Sequence, residues 1–416
     1  MIRIFQERFD RSLSLATLTL SVYGVLILYS AGQTDVPSTA AHVWERQLVW
    51  LALSIIAAVL VQRVSPRFLE WAAPALYALG VVVLLVTLVV GTGAGTATSA
   101  KSWIAIGGHR IGQPSEVVKL AVVLMLARYL AGRRNPPASL RELLVPVGIA
   151  ALPAGLVALQ PDLGSAIVFA GILFAMLYWG GVRVRYLVLL ASPVGSLFLA
   201  FSPWTWGAWI FLIGGLLVVW RPYVWEGLAA LGANVGMGII ALPLWLRLAT
   251  YQQNRFLSFL NPELDARATG WHIIQSKIAI GSGGWLGQGF TQGTQKRLAF
   301  LPAQHTDFVF SVVGEELGLV GVLAALALFF ALLAILIRIA RRSPEPFGSL
   351  VAFGVVGLLF THIFENVGMT ANVMPITGIP LPFFSSGGSF LLACYMGIGL
   401  AMRVAREGRD MGYREI

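Results

Sequence analysis

Cysteine is almost missing from this sequence. Cys394 is the single one in 416 residues, so no disulfide closes within the chain and no thiolate cluster holds a metal. Histidine is also scarce, at 5 residues, and no HExxH run occurs, which argues against a zinc centre. A phosphate-binding G-x-x-x-x-G-K-[ST] loop and a GxSxG nucleophile elbow are both lacking. ATP-driven pumping and serine hydrolysis therefore have no sequence support. Charge is thin as well. Asp, Glu, Lys and Arg make up 12% of the chain, where a soluble domain carries about 25%. No cleavable leader is expected either, because the first apolar run is too long and has no clear small-residue cleavage site.

Apolar sequence fills the space that charge leaves. Hydrophobic residues are 57% and the mean hydropathy is +0.79. A bilayer span needs roughly 20 apolar residues. Runs of that kind cover 13–31, 47–62, 69–91, 115–131, 142–158, 164–181, 186–202, 205–220, 224–246, 308–338, 348–371 and 381–403. They are continuous, not alternating, so they predict helices and not a barrel. The expected fold is an all-α polytopic membrane bundle of about twelve spans, one domain over 1–416. The net charge of +10 suggests nucleic acid at first sight. Its distribution points elsewhere: no basic stripe interleaves with aromatics, and the Arg residues cluster in short gaps such as Arg133-Arg134 and Arg341-Arg342. Alternating sides along the chain collects most of them on one face, which the positive-inside rule makes cytoplasmic, with both termini there. Segments 92–114 and 250–307 then lie outside.

Segment 250–307 is the longest polar stretch, and a long loop in a compact bundle is usually functional. It has amphipathic helical character from Trp271 to Ile280, then Gly281-Ser282-Gly283-Gly284, and ends in Gln304-His305-Thr306-Asp307 against the next apolar run. Two readings of Asp307 stand side by side: Thr306 or Asp307 caps the following helix, or Asp307 is a general base at the membrane surface. Glu315 and Glu316, inside the apolar run, read as groups paired within the bundle. In Gln113-Pro114-Ser115-Glu116-Val117-Val118-Lys119, Glu116 and Lys119 share a helix face. They form either a hidden ion pair or a cavity wall that contacts an anion. Asp162, in Gln160-Pro161-Asp162-Leu163-Gly164-Ser165, is a helix cap or a further cavity residue. The prolines and small residues of 375–389 describe a broken entry to the last span, either for close packing or for anion binding by exposed N–H groups.

These four separated motifs together resemble the SEDS family (shape, elongation, division and sporulation) of polytopic peptidoglycan polymerases. The likeness runs over Gln113–Lys119, Gln160–Ser165, Asn261–Glu316 and Asn366–Ser389. Ser115, the run His272-Ile273-Ile274-Gln275-Ser276-Lys277 and Gly293-Thr294-Gln295 look more like the elongation branch, RodA, than the division branch, FtsW. The sequence departs from the family at three places. Ser102 precedes Trp103 where an Arg is usual, so Lys101 or Arg110 becomes the substitute phosphate contact. Ser386 replaces an aromatic. A family core of ten spans gains an extra pair between Val182 and Tyr251.

The resemblance implies an inverting glycosyltransferase in the bacterial cytoplasmic (inner) membrane. It would join lipid II into a growing glycan chain at the outer face during elongation and release undecaprenyl diphosphate. Asp307 would be the catalytic base. Substrate contacts would come from Lys119, Glu116, Arg110, Trp103, Lys101, Asp162, Lys277 and Thr306. No tightly bound cofactor is expected, though a divalent Mg or Mn ion on the pyrophosphate fits. The implied partners are a class B penicillin-binding protein and other elongation-complex membrane proteins, with no nucleic acid. A division paralogue of the same chemistry and a lipid II flippase or transporter are the alternatives. A transporter would concentrate its ionisable groups at the midplane, whereas here they crowd the outer surface.

Overall fold

A computed structural model describes residues 10–93, 102–106, 109–265 and 269–412. The chain traverses the bundle in long helices: α1 (Arg11–Ala31), α2 (Val43–Arg63), α3 (Pro66–Val90), α4 (Pro114–Ala131), α5 (Leu140–Leu159), α6 (Leu163–Trp179), α7 (Val184–Leu199), α8 (Pro203–Trp220), α9 (Val224–Arg247), α13 (Val309–Arg342), α14 (Pro346–Thr370) and α15 (Gly388–Gly412). Each lies where an apolar run predicts a span. Local chemistry starts them. The Asp10 carboxylate accepts from Leu13 N, Ser65 precedes Pro66 at the first turn of α3, and Ser139 caps α5. Among the described residues, 9 helices are long and apolar enough to cross a membrane. The apolar helices α6 and α7 are shorter, and α4 carries Glu116, Lys119 and Arg128.

Helix α14 forms the centre, with most of its residues buried. It packs on α4, α6, α13 and α15. Helix α15 lies along α2, and the approach is close because Gly399 has no side chain: a Cβ there would sit 2.6 Å from the Ala58 carbonyl oxygen. By contrast α8 buries only Ile213. It is held within a trio by Asn234 of α9, which is 0% exposed. Asn234 donates to Ser192 Oγ of α7 at 2.7 Å and accepts from Ser196 Oγ and from Trp209 Nε1 of α8 at 2.9 and 3.1 Å. Such shared polar contacts are what fasten helices where lipid supplies no hydrophobic drive.

One end of the bundle, here the loop end, carries the connections that matter. Strands β1 (Ile104–Ile106) and β2 (His109–Gly112) pair antiparallel ahead of α4. Segment 250–307 is more structured than a loop. It contains α10 (Thr250–Leu260), a 3-10 turn at Pro262–Asp265, α11 (Thr269–Ser282), where the amphipathic pattern predicts a helix, and the single turn α12 (Thr294–Arg297). The segment plugs into a break in α13 at Gly318, whose φ of 60° and ψ of −160° are non-helical. The break frees the carbonyls of Glu315 and Glu316, which accept from Gln288 N and Gly289 N at 2.9 and 3.0 Å.

The last span begins later than its apolar run, at Gly388 and not at 381. Pro380 and Pro382 have no N–H to give a helix. The backbone beyond them is taken up by side chains: Ser385 Oγ accepts from Leu381 N at 2.7 Å, and Gln47 Oε1 accepts from Gly387 N at 3.3 Å. Segment 371–387 therefore folds back over the loop end of α14.

Candidate active site

Asp307 is not a cap. The N-cap position of α13 is Phe308, and no side chain caps its first turn. The Thr306 hydroxyl donates instead to the Ala303 carbonyl at 3.3 Å. The capping reading of the His305-Thr306-Asp307 run is thus overturned, because a tight turn after Ala303, whose φ is 49°, puts these residues one step too early. The same turn is clamped from outside. Ser385 Oγ donates to Thr306 O at 2.6 Å and Ser386 N to His305 O at 2.9 Å. Asn366 of α14 donates to the Asp307 carbonyl at 3.0 Å and to the Ile379 carbonyl at 2.8 Å. The backbone of the 305–307 turn is thus held by three donors, one to each carbonyl, while the Asp307 carboxylate stays uncommitted to the helix.

That carboxylate faces Gly378 and Arg255. A Cβ at Gly378, where φ is +74°, would lie 3.4 Å from Asp307 Oδ2 and 4.0 Å from Arg255 Nη2. Arg255 also donates to the Thr377 carbonyl at 3.4 Å. Burial raises the Asp307 carboxyl above the ordinary aspartate value of 3.8, and the charge of Asp162 adds to the rise. The Arg255 guanidinium holds it back. Burial and Arg46 lower the imidazole of His305 from 6.5, which leaves it neutral at pH 7.

Beside this turn lies a buried chain of hydrogen bonds. Lys119 Nζ donates to Glu116 Oε1 at 2.8 Å and lies 3.1 Å from His362 Nε2. The other ring nitrogen, Nδ1, is 3.1 Å from the Pro380 carbonyl. A carbonyl only accepts, so His362 carries its proton on Nδ1 and accepts from Lys119 on Nε2. Lys119 and His362 are 0% exposed and Glu116 is 2% exposed. Glu116 and Lys119 therefore form the hidden ion pair in this conformation, and they brace the 377–380 segment through His362. Asp162 caps α6 through Ser165 N at 3.0 Å and also accepts from Gln113 Nε2 at 2.8 Å. Asp162 is thus the helix cap of the first reading, and its charge also acts on Asp307.

The remaining candidates are spread around this centre. The half-buried Trp103 joins Thr92 by a two-way backbone bridge. Arg110 lies on β2, paired with Ala105, and nothing of its side chain is described. Lys101 lies outside the described residues. Lys277 is exposed on α11, whose buried Ser276 donates to Thr370 O at 2.7 Å. Glu315 and Glu316 are structural, as expected: Glu316 pairs with Lys296 at 3.0 Å with both side chains sealed, and Glu315 accepts from Gln295 N at 2.6 Å. The residues that sequence reasoning passes over are Arg255, His362, Glu365 and Asn366. The last three are ionisable or polar groups in a membrane run, which is itself a functional signal. Arg255 carried none beyond its charge. Among the described residues, no three His, Cys, Asp or Glu side chains converge on a common point.

The chain has extensive relatives. Residues 11–410 match the family described as cell cycle protein, FtsW/RodA/SpoVE. It is 34% identical to the peptidoglycan glycosyltransferase MrdB of Escherichia coli K12, covering 95% of this chain and 93% of that one. It is likewise 34% identical to the peptidoglycan glycosyltransferase RodA of Treponema pallidum, over 95% and 97%. Among solved structures, it superposes on a chain of a peptidoglycan synthase complex, studied for how polymerization and crosslinking are coordinated, with a TM-score of 0.71, 30% identity and coverage of 96% and 98%. The Thermus thermophilus rod shape determining protein RodA gives a TM-score of 0.62 at 28% identity, over 96% and 97%. A helical bundle built for the membrane, with a fixed carboxylate at its loop end and relatives along nearly its whole length, places this chain in the FtsW/RodA/SpoVE family.

Proposed function

We propose that this protein is a peptidoglycan glycosyltransferase of the RodA type, polymerising lipid II at the outer face of the cytoplasmic membrane during elongation. The loop end is then extracytoplasmic and both termini are cytoplasmic, in line with the Arg asymmetry. The observation that carries the reading is Asp307: a half-buried carboxylate, free of capping duty, locked by Asn366 and set against Arg255.

In the step we assign, the acceptor GlcNAc 4-hydroxyl oxygen attacks the donor MurNAc anomeric carbon. The hydroxyl proton passes to Asp307, the new C–O bond forms, and the bond to undecaprenyl diphosphate breaks with inversion. A positioned base contributes about 10²–10⁴-fold. Burial suits the carboxylate to the task, since a raised pKa makes a stronger base while leaving it ionised at neutral pH only if Arg255 limits the rise. The diphosphate needs cations as charge develops. Arg110, Lys101 and Lys277 stay our proposed contacts, joined by Arg255. Lys119 is enclosed, and its role in this reading is to hold segment 377–380 through His362. A divalent ion would be carried mainly by the diphosphate, with waters completing its shell.

The partner of the reading is a class B penicillin-binding protein, which the match to a peptidoglycan synthase complex supports. Purified protein given lipid II should produce glycan strands, and Asp307→Ala should yield none while still melting cooperatively, at or above the parental temperature. Polymer from that variant at the parental rate would remove Asp307 as the base. Lipid II crossing proteoliposomes with no polymer formed would favour the transporter reading.

A further inference from the structure

One buried acid outside the mechanism lacks the firm partners that Glu226, Glu315 and Glu316 have. Glu365 on α14 is 1% exposed, and neither of its carboxylate oxygens has a hydrogen-bond partner. The Thr377 hydroxyl, which has no other partner, is the group that approaches this carboxyl, though outside good hydrogen-bond geometry. Thr377 is half-buried as a residue, while its hydroxyl and both Glu365 oxygens are themselves sealed from solvent. Its surroundings are those of the site. The Thr377 carbonyl accepts from Arg255. The same carbonyl abuts the start of α6, where a Cβ on Gly164 would come within 2.8 Å of it. The next residue after Glu365 is Asn366, which holds the backbone of Asp307.

Buried polar groups are nearly always paired, and exceptions need a reason. Among nearby groups the Thr377 hydroxyl alone is aimed at the carboxyl, and its single proton serves at most one of the two oxygens. The Lys119 charge attracts Glu365, but its hydrogen bonds go to Glu116 and His362. A metal ion is disfavoured by the flanking cations Lys119 and Arg255 and by the lack of a third carboxylate or imidazole among the described residues. What fits two acceptor oxygens and one hydroxyl is a neutral hydrogen-bond donor. We propose that Glu365 and Thr377 form a recognition subsite for an N–H or O–H of the lipid-linked sugar, such as its N-acetyl amide, beside Asp307. This rests on the glycosyltransferase reading above. A site built to accept such a hydrogen bond discriminates strongly against a ligand that lacks it, because its own groups are then left unpaired.

The test separates binding from turnover. Lipid II affinity is measured on the full chain in an Asp307→Asn background, with Glu365→Leu, Glu365→Gln and Thr377→Val added singly. Loss of a hydrogen bond to a charged group predicts binding weaker by about 10- to 100-fold for Glu365→Leu. Glu365→Gln should fall between this and the parent. Thr377→Val, a surface-proximal change, decides the matter if Glu365→Leu does not fold. Melting temperatures are expected to stay level or rise, since an unpaired acid is removed. Parental affinity in both Glu365→Leu and Thr377→Val overturns the subsite. So does stabilisation of the parent, but not of Glu365→Leu, by magnesium or sodium chloride alone, which would make it a cation site. Absence of polymer from the unmutated protein while lipid II still binds would instead sink the functional reading and spare this one.

Discussion

Replacing Asn366 by Leu tests the geometry on which the mechanism depends. Asn366 is 0% exposed, and its amide donates to the carbonyls of Asp307 and Ile379 at 3.0 and 2.8 Å. Leucine fills a similar volume but donates nothing, so both carbonyls lose a donor in a dry interior. An unsatisfied buried group costs about 1–3 kcal/mol. The loss is partly offset, because Asn366 Oδ1 has no partner and leaves with the amide. The net destabilisation should be on the order of 1–3 kcal/mol. The larger effect falls on rate. The Asp307 turn loses the tie that connects it to α14 and to segment 377–380, and misplacement of a catalytic group by about 1 Å costs on the order of 10²-fold. Steady-state polymerisation with purified lipid II should show kcat reduced by about that factor with KM little changed, alongside a modest fall in melting temperature. A parental kcat would show that the Asn366 tie does not position the base. A raised KM with intact kcat would make Asn366 a substrate contact instead.

Four further outcomes follow from the same contacts. Arg255→Ala removes a charge that lowers the Asp307 pKa, so the acidic limb of the pH–rate profile should move to higher pH; an unmoved limb would refute the pairing. Asp307→Asn should raise thermal stability at neutral pH, because a carboxylate with a raised folded pKa is destabilising when ionised. That advantage should shrink as pH falls through the raised value and vanish below the ordinary 3.8, which melting curves across pH would follow. Lys296→Met strands the sealed Glu316 and should cost about 3–5 kcal/mol, whereas Lys296→Met with Glu316→Leu should recover most of it. Asn234→Leu should loosen α7, α8 and α9 by about 0.6–2 kcal/mol, read as easier proteolysis of the 200–223 connections without loss of polymerisation.

Much of this molecule is readable in one dimension. Every long helix lies under an apolar run, since a span needs only length and apolarity. The amphipathic pattern from Trp271 to Ile280 becomes α11, and the pairing of Glu316 follows from the cost of an isolated charge in the bundle. The site was legible as separate motifs, not as a constellation. Lys119 could equally have faced a ligand or an ion pair, and its partner His362 lies 243 positions away. Arg255 was one basic residue among several on its segment.

Composition and pattern alone dictated a polytopic helical bundle, its orientation signal and a short list of polar groups too costly to be incidental, because burial energetics act residue by residue. The fate of each polar group was decided only in three dimensions. Whether Asp307 caps a helix or stands clear of it depends on a turn at Ala303 and on donors from α14 and the 381–387 segment. Those contacts join positions far apart in the chain, and a hydrogen bond between distant residues leaves no periodicity for a sequence to display.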